Sequence, residues 1–363
     1  MNLKIIALFC ILYSLFYTNF LSAQSSMTMP VLLENPDARS SGMGEAGTAI
    51  SDDISATYLN PAGLGFLKKT IIDNQKYDFF GVSLAYNKVS SNIISDMSLF
   101  NIAVASYLPT FRGCFALDLS RNYLGESHHT DASGNPKGKF ASIEYLIGLA
   151  YGISFSEQFA AGAKIKYFLS DLAPAMGTIM SETSSAGLAF DLALMLHPQI
   201  NIGTNPFLDK HFLSFGLTLQ NMGGKVDYLK SSEPLPTVLK LGTAINFNYE
   251  KTHKLTLAAD AVKLLIRRNS LTTDPFPLSL GSSWKNEGGF IWKFGAEYWY
   301  EHIFALRLGH YFEPAVMGNR SYYTFGCSFH YYFAQLDLRY ATSSGITQDF
   351  TNGFKFTLKI AGD

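Results

Sequence analysis

The chain has 363 residues, with 28 Lys and Arg against 29 Asp and Glu and a formal net charge of −1, a balance that excludes a basic nucleic-acid-binding surface and gives no strong steering of charged ligands. Charged residues make up only 16% and aromatics 14%, with 29 Phe and 20 Tyr. After Ala23 no apolar run approaches the ~18 residues that a membrane helix needs, so a helical membrane protein is excluded too.

Residues 1–23 read as a secretory signal peptide. Lys4 supplies the positive start, the stretch from Ile5 to Phe20 the apolar core, and Leu21-Ser22-Ala23 the small-residue end before Gln24. Tyr13, Ser14, Tyr17, Thr18 and Asn19 weaken the alternative of a membrane anchor. Residues 24–76 form a second unit. Asp37-Ala38-Arg39-Ser40-Ser41-Gly42-Met43-Gly44-Glu45-Ala46-Gly47 and Tyr58-Leu59-Asn60-Pro61-Ala62-Gly63-Leu64 are small, Gly-rich and tightly punctuated. Gly42, Gly44 and Gly47 allow backbone to pack against backbone, and Asn60-Pro61 starts a turn. This unit reads as a plug.

Residues 77–363 are a series of alternating segments, which reads as a barrel wound around that plug. In Leu213-Ser214-Phe215-Gly216-Leu217-Thr218-Leu219-Gln220 the apolar residues share one face and the small or polar ones the other. Phe354-Lys355-Phe356-Thr357-Leu358-Lys359-Ile360 splits the same way. Segments of this kind fall near 77–89, 99–108, 113–123, 141–154, 158–170, 186–198, 212–222, 237–247, 254–265, 277–284, 291–300, 304–312, 322–332, 335–341 and 354–361. Single-chain outer-membrane barrels have even strand numbers, with short periplasmic turns and long outer loops. The tight connections at 109–111, 155–157, 301–302 and 333–334 share one end only if 277–284 is not a spanning strand. The expectation is therefore an all-β transmembrane antiparallel barrel of about fourteen strands with an N-terminal plug. Its outer loops are 90–98, 124–140, 171–185, 223–236, 266–290, 313–321 and 342–353. A barrel that wide cannot fill its lumen with its own side chains.

Inward faces carry Lys164, Lys166, Asp191, Lys240, Asp260, Lys293, Glu297, Arg307, Asp337, Arg339, Lys355 and Lys359. Mixed signs favour neutralised pairs that brace plug and wall over a pore selective for one sign. Cys114 falls on the lumen side and Cys327 on the lipid side, so they cannot bridge. His128-His129 with Asp131 reads as a polar loop rather than a metal site, and Asp52-Asp53 as a cap or turn rather than a cation site. There is no P-loop, His-Glu-x-x-His, CxxC or G-x-S-x-G. No enzyme, cofactor or metal is expected.

Asp37-Ala38-Arg39, Gly42-Met43-Gly44 and Asn60-Pro61-Ala62 resemble the N-terminal pattern of the FadL-like outer-membrane proteins. Leu235-Pro236-Thr237-Val238-Leu239-Lys240-Leu241-Gly242-Thr243-Ala244, Gly295-Ala296-Glu297-Tyr298-Trp299-Tyr300 with Phe304-Ala305-Leu306-Arg307, and Gly318-Asn319-Arg320-Ser321-Tyr322-Tyr323-Thr324-Phe325-Gly326 narrow the resemblance to the PorV/PorQ branch of the type IX secretion system. The resemblance implies a fourteen-stranded plugged barrel in the cell outer membrane. It also implies a function in protein secretion, receiving cargo by its C-terminal signal domain from a translocon and passing it to a surface sortase. Apart from outer-membrane lipid these are the partners it implies, and nucleic acid is not one. Contact residues are expected among loop aromatic and apolar side chains, which anchor interfaces well: Tyr123, Leu124, Met176, Met180, Tyr228, Leu229, Phe276, Val316 and Met317. The alternative is a FadL-like transporter of hydrophobic small molecules, for which residues 172–176 would help to line an apolar pocket.

Overall fold

The computed structural model describes residues 29–72, 75–89, 96–131, 133–172, 184–200, 207–208, 212–228, 231–250, 252–266, 274, 276–285, 289–343 and 353–361. The signal-peptide reading of residues 1–23 lies outside them. So do Met176, Met180 and Leu229, and residues 173–176 of the expected pocket.

A short hairpin, β1 (Lys69–Ile72) and β2 (Gln75–Asp78), leads into the barrel. The wall begins with β3 (Phe80–Val89), β4 (Ser98–Leu108), β5 (Gly113–Thr130), β6 (Pro136–Ser154), β7 (Phe159–Asp171), β8 (Ser184–Leu196) and β9 (Leu213–Met222). A second hairpin, β10 (Lys225–Tyr228) and β11 (Ser231–Pro234), forms a separate two-stranded sheet, with Val226 buried against Met29, Val31 and Leu32. The wall resumes with β12 (Val238–Tyr249), β13 (His253–Leu264), β14 (Ile291–Tyr300), β15 (Phe304–Phe312), β16 (Ser321–Tyr331), β17 (Ala334–Ser343) and β18 (Gly353–Ala361). Each strand pairs antiparallel with the next, β9 with β12, and β18 closes on β3. The fourteen-strand closed barrel is the expected one, and the segment excluded by parity is the short helix Leu278–Ser282.

Alternation along each strand is the reverse of a soluble sandwich. In β8 the leucines and Phe190 face outward and stay exposed, whereas Ala189, Asp191, Ala193 and Met195 are buried. A wall with leucine outside and aspartate inside is stable only if hydrocarbon, not water, surrounds it. Exposed rings gather at the short-turn rim, among them Phe155, Tyr331, Tyr332 and Phe333, where an aromatic girdle would meet the membrane interface. Among the described residues no helix is long and apolar enough to cross a membrane.

The N-terminal segment fills the lumen. Two short helices, α1 (Ala38–Gly42) and α2 (Ala56–Leu59), and 3₁₀ turns at Pro30–Leu32 and Pro61–Phe66 are packed inside the wall. Asp37 caps α1, its Oδ2 accepting from Ser40 N at 2.7 Å. Asn60 precedes Pro61, accepts from Ala62 N at 3.1 Å, and donates through Nδ2 to the carbonyls of Thr48 and Leu194. Such caps let short helices persist where propensity alone would not hold them.

One expectation changes. Residues 124–140 are not an irregular loop: β5 and β6 continue as a paired hairpin through Thr130 and Pro136, leaving a turn of only 131–135. A shift in register after Tyr123, at Gly125 with φ +97°, marks where the hairpin leaves the wall.

Candidate functional site

The plug is held by buried ion pairs rather than by apolar area alone. Arg39 Nε and Nη2 donate to the two oxygens of Glu297 at 2.9 and 2.8 Å. Arg307 Nε donates to the same carboxylate at 2.6 Å, and its Nη2 lies 3.3 Å from Asp337. Lys359 reaches Asp37 and Asp53 of the plug, both at 2.8 Å, and Asp337 of the wall at 3.3 Å. Asp52 and Asp53 both meet Arg39, so the cation they face is a side chain of the plug itself. Burial pushes the Asp53 carboxyl up, but Lys359 and Arg39 override it and hold it well below the usual carboxylate range. For Glu45 burial likewise acts upward, and Lys355, Arg339 and Lys293 with the Asn35 amide bring it down to about 2.

On the neighbouring strand β13, Asp260 Oδ2 accepts from Gly47 N, Thr48 N and Thr48 Oγ1 at 2.7–3.0 Å. Lys164 pairs with Asp118 and Lys166 with Asp191, each at 2.6 Å. The charges expected on inward faces do lie there. What the sequence reading missed is the share carried by Arg39, Asp37 and Glu45 of the plug, which no alternation marks, and by buried Glu144, an inward position of β6 whose Oε2 accepts from Val31 N at 2.9 Å.

Backbone approach does the rest. Gly44 has φ +66°, and a Cβ there would stand 2.5–2.7 Å from backbone atoms of Phe294 and His310. Gly295 and Gly309, cross-strand partners on β14 and β15, open the wall opposite it. Gly152 and Gly162, paired between β6 and β7, admit Pro61 in the same way.

Six of the expected contact residues are described, and they lie on the long-loop rim. Tyr123 and Leu124 are half-buried and lie on β5, with the Arg121 guanidinium 5.3 Å from the Tyr123 ring. Tyr228 ends β10, Phe276 is half-buried ahead of Leu278–Ser282, and Val316 lies in the turn Ala315–Met317. Met317 departs from the expectation. It is buried, 8% exposed, against Val238, Val262, Ile291, Tyr311 and Tyr322, because its turn folds back over the lumen mouth.

Between the plug and this mouth lies a cavity of about 600 Å³. Residues 30–36 of the plug form one side and β12 to β14 the other. Val238, Val262 and Ile291 make part of its lining apolar, while Lys240, Lys293 and Arg320 bring positive charge to it.

The fold has solved relatives. The Ralstonia pickettii toluene transporter TbuX superposes with a TM-score of 0.52 at 12% identity, over 90% of this chain and 97% of that one. A deletion mutant of the TodX monoaromatic hydrocarbon channel gives 0.55 at 12% identity, over 90% and 98%. The CymD monoaromatic hydrocarbon channel gives 0.53 at 13% identity, over 91% and 97%. At these identities the likeness is one of fold. No curated protein sequence matches the chain. The sequence model of the type IX secretion system protein PorV matches residues 22–270, well over half of the chain and from the plug through β13. The chain belongs to the PorV family of type IX secretion system proteins.

Proposed function

We propose that the protein works in the outer membrane as a partner-binding component of type IX secretion, without chemistry of its own. The observation that carries this reading is the asymmetry of a closed, plugged barrel. The short-turn rim carries tight turns after β4, β6, β12, β14 and β16, with the β1–β2 hairpin and one sixteen-residue connection from β8 to β9. The long-loop rim presents the β5–β6 hairpin, the β10–β11 hairpin and the turn Ala315–Met317. Short turns face the periplasm in barrels of this kind, so the elaborated rim faces the cell exterior. Residues 1–23 act as the export signal, 24–76 as the plug unit and 77–363 as the barrel. The rim binds cargo C-terminal signal domains, the translocon, the surface sortase, or more than one of them. Tyr123, Leu124, Met176, Met180, Tyr228, Leu229, Phe276 and Val316 supply the anchors.

The test is a gentle-detergent purification of the tagged protein from its native cells, with co-purifying proteins identified. Recovery of a translocon subunit, a sortase or proteins sharing a C-terminal domain is expected. Recovery of the barrel alone would sink the reading. A second reading, passage of hydrophobic small molecules as in the toluene transporters that share the fold, draws support from the partly apolar cavity. Lipid-like molecules retained in the purified lumen would favour it.

A further inference from the structure

The outer surface of the wall is almost free of charge, as a surface against hydrocarbon must be. Among the described residues, three Lys or Arg side chains of the wall strands break that rule: Lys88 on β3, Arg121 on β5 and Lys263 on β13. Lys263 is covered. It is 5% exposed, with its ammonium 5.0 Å from the Trp284 ring centre and 5.3 Å from that of Phe290. Lys88 and Arg121 are both exposed. Each obeys the alternation of its strand. Asn87 lines the lumen cavity and Lys88 points away from it; Ser120 and Asn122 are buried, and Arg121 between them is not.

The two cations belong to one patch. Lys88 pairs in register with Ser98 of β4, which pairs with Tyr123 of β5; Tyr86 pairs with Phe100, which pairs with Arg121. Lys88 and Arg121 are therefore two strands apart and one outward position apart along them. That is about 10 Å across the sheet and about 7 Å along it, within converging reach of two long side chains. Ser98 and Phe100 of β4 lie between them. Phe100 and Tyr145, both exposed, flank Arg121 in register, and exposed Phe354 stands beside Lys88. The Tyr123 ring centre is 5.3 Å from the Arg121 guanidinium carbon. Among the described residues neither cation makes an ion pair. The carboxylates just above the patch are engaged elsewhere: Asp96 Oδ2 accepts from Glu126 N at 2.9 Å, and Glu126 lies 3.4 Å from the Lys139 ammonium.

Height in the wall fixes what surrounds the patch. Val89 ends β3 and Ser98 begins β4, so Lys88 stands at the long-loop edge and Arg121 one outward position below it. At that edge hydrocarbon gives way to lipid headgroups. Below Arg121, Leu119, Leu117, Ile102 and Leu84 continue an apolar face. Long cationic side chains lay their stems on such a face and lift their charge to headgroup level, where a phosphate can meet two of them at once. We infer that β3, β4 and β5 carry a docking site for a phosphorylated lipid of the outer leaflet. Its phosphate is held between the Lys88 ammonium and the Arg121 guanidinium, over Ser98, and an acyl chain lies on Phe100 and Leu119. The site faces the membrane, not the plug. It rests on the barrel orientation proposed above and is independent of partner binding and of passage through the lumen.

The test titrates the full-length protein in nonionic detergent with diphosphoryl lipid A, or with phosphatidylcholine for comparison, and counts retained lipid by native mass spectrometry. Lipid A is expected to be held about tenfold more tightly than phosphatidylcholine, and the paired variant K88M/R121M is expected to lose that preference. In the unsubstituted protein lipid A should slow acetylation of Lys88 more than phosphatidylcholine does, and leave exposed Lys69 on the other rim unchanged. That readout survives a variant that fails to fold. Equal retention of the two lipids would overturn the site, and so would a preference that persists in the paired variant. Displacement of lipid A by an equal concentration of inorganic phosphate would overturn the requirement for a lipid body. None of these readouts depends on which rim faces outward. Orientation is read separately, by labelling S133C at the hairpin tip in intact cells with a membrane-impermeant maleimide. No labelling there would overturn the outer leaflet as the source of the lipid.

Discussion

At the scale of single residues, Glu297 is the carboxylate that ties the plug to the wall through two arginines. It is fully buried and joins one cation of the plug to one of the wall. Removing its charge would leave Arg39 and Arg307 buried side by side with no common counter-ion. Glu297→Gln is therefore expected to cost about 3–5 kcal/mol, read as a lower midpoint for loss of the compact form on heating in detergent. Glu45 and Asp53 give a pH dependence of known sign. Both are held below their ordinary range, so their contribution is present above the ordinary carboxylate pKa and is lost as pH falls through the folded value, about 2 for Glu45. Hydrogen-exchange protection of the plug should stay flat from pH 7 to about 5 and decline between roughly pH 4 and 2. Decline beginning near neutrality would contradict the assignment. Period-two alternation made Glu297, Arg307 and Lys359 legible as lumen residues. It could not show Arg39 or Asp37 as their partners, because those pairs join positions about 260 to 320 residues apart, across which a pattern in sequence carries no register.

At the scale of elements, the plug is seated by facing glycines more than by helix packing. Its helices α1 and α2 are one turn or little more, too short to hold their shape alone. Gly44→Val adds a branched side chain at positive φ where backbone already stands within 2.7 Å. The barrel should still close, with the plug displaced, seen as new protease cuts within residues 37–65 while the heat-resistant wall remains. The β5–β6 hairpin makes the opposite case. Replacing residues 124–140 by a four-residue turn should leave barrel stability within about 0.5 kcal/mol, since little of the wall is lost, while abolishing recovery of partners if the rim binds them. That hairpin was hidden in the sequence for a physical reason. Above the wall neither face meets hydrocarbon, so the alternation that betrays a spanning strand disappears although the pairing continues. That the segment from Pro277 is no wall strand was legible, because turn chemistry and the parity of rims agree, although its short helix was not.

At the scale of the whole molecule, strand number, closure and the end that carries long loops could all be read from spacing, since a membrane imposes one period and one parity on every wall segment. The cavity could not, because it is the gap between two bodies, plug and wall, each read separately. Removing residues 29–67 should convert the plugged lumen into a conducting pore in planar bilayers, with the intact protein silent under the same conditions. Lys355, Thr357 and Lys359, alternate inward residues of β18, take Asn35 and Ser41, Ala38, and Asp37 and Asp53 of the plug, respectively. These contacts span more than three hundred residues of chain and engage the last strand to be made. The plug thus lacks its final set of bonds until β18 has paired with β3. Docking of the first segment becomes a check on the arrival of the last, and a chain halted short of its C-terminus would carry a loose plug into an unclosed sheet, exposed to proteases before it could leak.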